Sequence, residues 1–452
     1  MTDRLTRRRI LQAGTVTGGI ALAGCLSGDS EDDSETDADG NGDGAEETEE
    51  TEAESESESE DENEETDDEA DETYEIWALD QGTNVGYIYE PGEEEDSFEE
   101  VDSIDFAEYQ GEVPHMIDFT ADYEYAVVAC TAGARTIVVR TEDREVVGNL
   151  ETGPSSHFAG VSPDEEYIHV DVIGEGAIKR IDADFEAEEF EIVDEIVITE
   201  DETVKEHGGD FEGRDPICHQ YTQEGYSYHT LGPSYHDGGL VIVDHDDFSV
   251  EKILHGDDDD VPTNCGTMPH PTESKFYTTA GLPAEDPADG VGEYFVFDTE
   301  EHEVVEREST GGVDAHGFWY TPDGEELWVL NRQTDDGLIL DPETDEVVEE
   351  IDDYGPAPDI MWSSPDGEYM FVTLRGPDQQ SGSPHAAQGE TPGFNVLSVE
   401  SREIVATVEP DPIDDYTEEE IEDGDTLTPD FHGIGVRPIG DYDTEIPTSP
   451  PF

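Results

Sequence analysis

The sequence predicts an all-β domain built from a repeated four-stranded unit, and three observations support this prediction. First, one motif recurs in which a His or Asp stands six residues before a Pro or Ala that opens a polar turn, and an apolar run follows the turn. Second, the apolar runs are short, are separated by Gly, Pro and Asp, and show no helical period. Third, hairpins in which a polar turn led by Asp or Ser separates two apolar runs alternate with the motif.

The recurring motif has four closely matching copies. They read "EVPHMIDFTADYEYAVVA" from Glu112, "GPSSHFAGVSPDEEYIHV" from Gly153, "GGVDAHGFWYTPDGEELWVLN" from Gly311 and "GPAPDIMWSSPDGEYMFVTLRG" from Gly355. One strand follows the His or Asp of each copy, and a second strand follows the polar turn. Hairpins such as "YFVFDTEEHEVVE" from Tyr294 supply the third and fourth strands. Four strands in a period near 40–45 residues are typical of a β-propeller blade.

The repeat count predicts a seven-bladed β-propeller. The first strands are marked by His115, His157, a looser copy at Cys218-His219, Cys265, His316, Asp359 and His432. The repeating region begins in mid-unit, with second and third strands from Tyr74, and ends with a lone first strand, "DFHGIGVRPIG". We therefore expect the N-terminal strands to complete the last blade, which closes the ring and removes exposed sheet edges.

Two copies, "DAHGFWYTPDGEELWVLN" and "PAPDIMWSSPDGEYMFV", carry a Pro-Asp-Gly turn followed by an aromatic or apolar strand. In this they resemble the YVTN-type (YncE-like) seven-bladed propeller family. The resemblance covers nearly all of residues 74–452 and implies the fold. It does not imply one activity, because propellers serve as scaffolds, binders and enzymes.

The charge balance is strongly acidic, with 18 Lys+Arg against 123 Asp+Glu and a formal net charge of −105. Self-repulsion of this size expands a chain in ordinary buffer, but at about 1 M salt the Debye length falls to roughly 3 Å. The composition therefore indicates a halophile's protein and resembles proteins of haloarchaea. It argues against nucleic acid as a partner, because nucleic-acid binding requires a basic surface.

The N-terminal segment, residues 1–25, is interpreted as an export signal rather than as part of the fold. Arg7 and Arg8 lie in "RRRIL", which resembles a twin-arginine signal, and a short apolar run follows. The run is too short for a membrane span of about 20 residues. "LAGC" resembles a lipobox, which implies that Cys25 is lipidated and anchors the protein to the outer face of the cytoplasmic membrane.

Residues 26–73 are Asp, Glu, Ser, Thr and Gly with almost no apolar side chains. Such a segment cannot bury enough apolar surface to offset the entropy lost on ordering, so a disordered acidic linker is predicted. The folded domain is expected to span residues 74–452.

First strands line the central channel of a propeller, so the residues that mark them should converge there. We therefore consider His115, His157, His219, Cys265, His316, Asp359 and His432 as candidate metal ligands, with Cys218 as an alternative to His219. Imidazoles, a thiol and a carboxylate suit copper or zinc. In the YVTN family a His is also common at this position as a structural residue. The sequence favours that interpretation, without a cofactor, and a small-molecule pocket is a further alternative.

Two arginines follow the second strands of adjacent repeats: Arg332 in "LNR" and Arg375 in "TLRG". In so acidic a chain each is expected to meet carboxylates, and the alternative is that they bind an external anion. A lactonase-like site would require that His316, Asp359 and Arg375 converge. Cys130, Cys218 and Cys265 show no Cys-x-x-Cys spacing, and a disulfide between two of them would leave one thiol free.

Together these features predict a monomeric, lipid-anchored propeller at the cell surface. Its main expected role is non-catalytic binding of a cell-surface protein or a small molecule. The first alternative is a copper- or zinc-dependent oxidoreductase that uses the histidines of the channel. The second is a lactonase-like hydrolase.

Overall fold

The computed structural model of the chain describes residues 72–94, 96–232, 235–263, 265–375, 393–409 and 429–440, together with 442, 444, 446 and 447. The strands within these residues form seven antiparallel sheets of four strands each, arranged as a seven-bladed β-propeller. The predicted fold and blade number are therefore confirmed. Arg7, Arg8 and Cys25, and nearly all of the predicted linker, lie outside the described residues.

The first three blades are numbered in chain order, and each runs from its innermost to its outermost strand. Blade 1 comprises β4 (Pro114–Phe119), β5 (Tyr125–Cys130), β6 (Arg135–Arg140) and β7 (Glu145–Glu151). Blade 2 comprises β8 (Ser156–Val161), β9 (Tyr167–Val172), β10 (Ala177–Asp184) and β11 (Glu189–Val197). Blade 3 comprises β12 (Asp215–Tyr221), β13 (Tyr226–Gly232), β14 (Gly239–Asp244) and β15 (Ser249–His255).

The next three blades repeat this order. Blade 4 comprises β16 (Thr267–Pro269), β17 (Lys275–Leu282), β18 (Val291–Asp298) and β19 (Glu303–Ser309). Blade 5 comprises β20 (Ala315–Tyr320), β21 (Leu327–Asn331), β22 (Gly337–Asp341) and β23 (Glu346–Ile351). Blade 6 comprises β24 (Pro358–Ser363), β25 (Tyr369–Leu374), β26 (Phe394–Ser398) and β27 (Ile404–Val408).

Blade 7 is built from both ends of the domain, as predicted. Its innermost strand is β28 (Phe431–Ile439), which pairs with β1 (Thr73–Asp80), and β2 (Val85–Pro91) and β3 (Phe98–Asp105) follow outward. In the β1–β28 register, Ala78 lies opposite Ile434 and Trp77 opposite Gly435. This pairing joins the chain's two ends by main-chain hydrogen bonds, so the ring has no open sheet edge at its junction.

Helical segments are short and lie in the connections. The one α-helix among the described residues is α1 (Glu202–His207), which precedes blade 3. Single 3-10 turns occupy Phe106–Tyr109, Ile173–Glu175, Ile198–Glu200, Tyr235–Asp237 and Pro287–Asp289. Across the described part of the chain, no helix is long and apolar enough to cross a membrane.

Burial along each blade follows its sequence. Inner strands such as β5, "YAVVAC", are apolar almost throughout and buried from their second residue on. The outermost strands are more exposed, and β23, "EVVEEI", carries three acids in six residues and is exposed except at its last residue. A strand buried on both faces needs a continuous apolar run, because it packs against the blades on either side. The core therefore consists of apolar layers between neighbouring blades.

The innermost strands also contact one another around the ring, as β4 does with β8 and with β28. Side chains that point inward from these strands consequently meet on the axis of the propeller. This geometry brings together residues that are far apart in the sequence.

The closure of blade 7 can be tested by Ile434→Ala. Ile434 is 1% exposed and opposes Ala78 of β1, so its truncation should lower the free energy of unfolding by about 2–5 kcal/mol. Val405→Ala on the outer strand β27 is the control, because Val405 is 37% exposed and should change stability by no more than about 0.5 kcal/mol. Urea unfolding in molar salt measures both. Equal effects would show that the junction does not stabilise the ring.

Candidate metal centre in the propeller channel

The innermost strands share a local distortion at the residue that points into the channel. The register with the second strand slips between Pro114 and Met116, between Ser156 and Phe158, and between Pro358 and Met361, as it does in blades 3 and 5. A β-bulge of this kind turns a side chain away from its normal direction and often lies beside a functional site. His115, His157 and Asp359 each lie within such a bulge.

The backbone two residues before these positions is strained. Val113, Ser155, Asp314 and Ala357 have φ angles of 57°, 57°, 66° and 51°, in the left-handed region. The β-branched Val113 is the most unfavourable of these, since such conformations cost of order 1–3 kcal/mol. Each of the four precedes a channel residue by two positions. The repeat therefore uses backbone strain to direct these side chains inward.

The seventh channel position belongs to Cys218 and not to His219. The Cys218 Sγ lies 3.6 Å from His157 Nδ1, while His219 points to the opposite side of β12 and contacts Asp171 of blade 2. Neighbouring residues on a strand point to opposite faces, so only one of the two can face the channel. The inclusion of His219 among the channel ligands was therefore wrong, and Cys218, the alternative, takes its place.

Three channel residues form a cluster with the chemistry of a soft metal site. The nitrogen of His157 and the sulfur atoms of Cys218 and Cys265 all lie within 4.8 Å of one another. The two cysteines are 3% and 8% exposed and are not linked by a disulfide. In tetrahedral zinc sites the ligand atoms are about 3.3–3.8 Å apart, given metal–ligand bonds of about 2.0–2.3 Å. Small movements would thus suffice to bring the three atoms onto one ion.

A chain of hydrogen bonds fixes the tautomer of His157. The Gln81 side-chain amide donates to Asp430 at 2.8 Å, which leaves its oxygen to accept from His115 Nδ1, also at 2.8 Å. The Nε2 atom of the neutral His115 must then accept, and its partner at 2.9 Å is His157 Nε2. His157 therefore carries its proton on Nε2. Its Nδ1 lone pair is directed at Cys218, as required of a metal ligand whose other nitrogen is held.

Burial keeps the ligands neutral in the absence of an ion. It lowers the pKa of His157 to about 4, an effect only partly opposed by the Asp171 carboxylate. Burial also raises the pKa of the Cys218 thiol well above its usual range, and the neighbouring Cys265 adds to this shift. Since a thiol must lose its proton to bind a metal, binding of an ion here releases protons.

The opposite side of the channel is held together by Asp359. Its carboxylate accepts from His316 Nε2 at 3.0 Å, from His432 Nε2 at 3.1 Å, and from Arg332 and Arg375 at 3.2 Å each. Burial by itself would raise the pKa of Asp359, but the two imidazoles and Arg375 hold it well below its usual range. The three atoms of His316, Asp359 and His432 also fit within 4.8 Å. Two guanidinium charges on the same carboxylate make this cluster an ion-pair network rather than a cation site.

The two arginines contact carboxylates, which was the first expectation for them. Arg332 also binds Asp314 at 3.0 Å, and Arg375 also binds Asp430 at 3.1 Å. Each guanidinium thus joins a carboxylate of its own blade to that of the next blade. Binding of an external anion to either arginine stays a prediction, and such an anion would have to compete with these buried pairs.

An apolar cavity adjoins the metal cluster. Its volume is about 60 Å³, and its lining includes both Cys218 and Cys265. The remainder of its wall is largely apolar and sulfur-containing: Met116, Phe158, Met268, Phe318, Trp319 and Trp362. A cavity of about 150 Å³ is needed for benzene, so this one admits only ligands of a few heavy atoms.

Sequence reasoning missed the polar residues that organise the channel. Gln81 follows the second strand of blade 7, the position that Arg332 and Arg375 occupy in blades 5 and 6. Asp314 and Asp430 each lie two residues before a channel His. The repeat register alone could have indicated all three, because residues at equivalent positions contact equivalent neighbours.

Comparison with known proteins supplies no family assignment. No family model and no curated protein matches the chain. Solved structures of low similarity do match. Kuenenia stuttgartiensis hydrazine synthase is 13% identical, with a TM-score of 0.47, over 68% of this chain and 81% of the other. A protein of Bacteroides uniformis provisionally assigned as a 6-phosphogluconolactonase is 13% identical, with a TM-score of 0.47, over 61% and 80%.

A protein of Bacteroides fragilis with the same provisional assignment is 16% identical, with a TM-score of 0.47, over 64% of this chain and 82% of the other. At these identities and scores the matches carry no argument about function. The function must be inferred from the residues of the channel itself.

The role of Asp359 can be tested by Asp359→Asn. The amide would face two guanidinium groups with one donor in place of an acceptor, so the free energy of unfolding should fall by about 3–5 kcal/mol. Asp352→Asn, at an exposed acid of the neighbouring loop, is the control and should be within about 0.5 kcal/mol of the wild type. Urea unfolding in molar salt measures both variants. A small effect at Asp359 would show that the network does not hold the channel together.

Proposed function

We propose that the protein is a metal-binding propeller whose channel holds a thiophilic ion, copper(I) or zinc(II), between His157, Cys218 and Cys265. One observation carries this proposal: the Nδ1 lone pair of His157 is fixed by the Gln81–His115 hydrogen bonds and directed at two buried thiols. A structural histidine needs partners for its polar atoms, but it does not need two cysteines from two further blades.

The charge of the channel supports a cation at this position. The network on its opposite side contains three carboxylates, Asp314, Asp359 and Asp430, against two guanidinium groups and His432, whose two ring nitrogens both lie against oxygen acceptors. The network therefore has no positive charge to spare for thiolates. Deprotonation of Cys218 and Cys265 would add further negative charge in a buried site, which is costly without a compensating ion. A bound cation supplies that compensation.

The ligand atoms favour a soft or borderline metal. Thiolates select copper(I) and zinc, whereas calcium and magnesium require oxygen ligands. Met116 packs against the apolar cluster that contains both cysteines, so the surroundings on that side are apolar and rich in sulfur. A low-polarity shell strengthens metal–thiolate bonds and restricts the access of water.

The site is compatible with two of the predicted roles. As a surface-anchored binding module, the protein would hold the ion without turnover. The cavity beside the thiols favours a second candidate, an oxidoreductase, because a molecule of a few heavy atoms placed there would touch the ligands of the ion. The lactonase-like alternative has less support. His316, Asp359 and Arg375 do converge, but their charged atoms face one another within the ion-pair network.

Elemental analysis tests the proposed site. The protein is exported by its own cells and purified in molar salt without chelator, and its metal content is compared with that of a Cys218→Ser/Cys265→Ser variant. The wild type should hold about one copper or zinc ion per chain more than the variant, because serine replaces both thiolates. The element found distinguishes copper from zinc.

Cys130→Ser is the matched control, because Cys130 is also fully buried but lies within blade 1, away from the channel. It should keep the metal content of the wild type. Circular dichroism in molar salt verifies that each variant is folded. Equal metal content in the wild type and the double variant would exclude Cys218 and Cys265 as ligands.

A further inference from the structure

We propose a second metal site outside the channel, in the interface between blades 2 and 3. Asp171, His219 and His229 form it, and His169 lies beside them. The ligands are imidazole nitrogens and one carboxylate, which suits zinc or a similar divalent transition ion.

The topology brings two pairs of ligands face to face. His169 and Asp171 are two residues apart on β9, so both point to the same side of blade 2. His219 of β12 and His229 of β13 are direct register partners, so they share one face of blade 3. All four side chains have an exposed fraction of 0%. Four buried polar side chains therefore occupy an interface that is apolar between most other blades.

Hydrogen bonds join three residues of the cluster, whose atoms would have to separate to about 3.3–3.8 Å to admit an ion. The Asp171 carboxylate lies 2.6 Å from His219 Nδ1 through one oxygen and 2.6 Å from His229 Nδ1 through the other. These three ligand atoms fit within 4.8 Å. The ring of His169 lies 6.0 Å from that of His219 and 6.1 Å from that of His229, measured between ring centroids. His169 thus lies beside this set of three, and its ring would have to move closer to bind the same ion.

Several nitrogen atoms of this cluster have no hydrogen-bond partner. Neither ring nitrogen of His169 is paired, nor is Nε2 of His219. A buried polar atom without a partner costs about 1–3 kcal/mol, so a folded protein rarely retains three in one place. Coordination of an ion by His169 would satisfy one of them. The space for His219 depends on Gly160, because a Cβ there would lie 2.8 Å from its Nε2.

His229 is already oriented as a ligand. Its Nε2 lies 2.8 Å from the Ser227 hydroxyl oxygen, which can accept a hydrogen bond from an Nε2–H group while Nδ1 binds an ion. Without an ion, the two Nδ1–H groups of His219 and His229 donate to Asp171. Binding of an ion at Nδ1 requires each proton to move to Nε2, so the cluster does not lose protons overall.

The electrostatics favour a transition metal over calcium or magnesium. Burial lowers the pKa of His229 to about 4 and keeps that of His169 well below its usual range, so both are neutral. Asp171 supplies one negative charge, and Arg180, the register partner of His169, supplies a nearby positive one. Since these charges offset each other, the affinity must come mainly from imidazole–metal bonds.

Asp359 shows what a purely structural version of this arrangement looks like. It also joins two imidazoles, but two arginines share its charge. Asp171 has no ion pair with Lys or Arg among the described residues, and an unpaired imidazole, His169, lies next to it. These two differences separate a metal site from an ion-pair network.

Cobalt(II) tests this site independently of the channel site. The chain is stripped of metal with a chelator, loaded with cobalt(II) in molar salt and desalted into the same salt without cobalt. Bound cobalt is measured by elemental analysis and by its visible and near-ultraviolet absorption. Tetrahedral cobalt absorbs strongly in the visible range, octahedral cobalt on surface carboxylates absorbs weakly, and only thiolate ligands add charge-transfer bands in the near ultraviolet.

The Cys218→Ser/Cys265→Ser variant gives the decisive spectrum, because its interface cluster is intact. We expect it to keep about one cobalt ion per chain, with strong visible bands and no thiolate charge transfer. Asp171→Asn and His229→Gln, in the wild-type background, should each lose about one ion and those visible bands while any thiolate bands persist.

His302→Gln is the control, because His302 is also buried between two blades but its Nδ1 contacts the Tyr228 hydroxyl instead. It should retain all the cobalt of the wild type. The proposal is overturned if the double cysteine variant binds no cobalt, or only cobalt with the weak octahedral spectrum. Failure of the channel site appears differently, as absence of the thiolate bands from the wild type.

Discussion

The buried carboxylate of Asp359 is the interaction on which the arrangement of the channel depends. It accepts from two side chains of blade 5, from Arg375 of its own blade and from His432 of blade 7, the blade that closes the ring. A single acceptor thus links three blades at the axis, where no apolar layer holds them. Removal of this charge leaves each of the two buried guanidinium groups with one carboxylate, Asp314 or Asp430, instead of two, which costs more than the pairs contribute on balance. The network is therefore a constraint on the geometry of the ring rather than a large source of stability.

The same network determines which nitrogen of His157 can bind an ion. The Asp430 carboxylate can only accept a hydrogen bond, so the Gln81 amide donates to it and presents its oxygen to His115. His115 then donates through Nδ1 and accepts through Nε2 from His157. The tautomer of His157 on blade 2 thus depends on the Asp430 carboxylate of blade 7. The ion pairs on one side of the channel and the candidate metal ligand His157 on the other thus belong to one hydrogen-bonded network. A carboxylate can only accept hydrogen bonds, whereas an amide or an imidazole can both donate and accept, so the donor and acceptor at each later position are fixed.

The sequence predicts the fold well because the repeat is visible in it. Seven first strands, the hairpins and the shared last blade follow from the spacing of turns and apolar runs, and a propeller buries each blade against the next in the same way. The seven channel positions follow from the repeat except in blade 3, whose looser copy of the motif leaves two adjacent candidates. Adjacent side chains of β12 point to opposite faces, and in the structure Cys218 is the one that faces the channel. No sequence pattern could have shown which of the two does so. The sequence did not predict that His169 and Asp171 of blade 2 meet His219 and His229 of blade 3. These residues come from second strands and a first strand of two blades, and their contact depends on how the blades pack.

Strand β12 supplies ligands to both candidate sites, because Cys218 faces the channel and His219 faces blade 2. Adjacent side chains of a strand point to opposite faces, so one rigid element fixes the positions of two clusters at once.

Salt does not weaken the buried ion pairs of the channel as it weakens ion pairs at the surface. In molar salt exposed ion pairs are screened over roughly 3 Å, but buried charges are shielded much less. A chain with 18 basic residues against 123 acidic ones therefore gains most from a guanidinium placed in the interior, as Arg332 and Arg375 are. Interior cations are scarce in such a chain, so a metal ion at either candidate site would supply positive charge where no arginine is available.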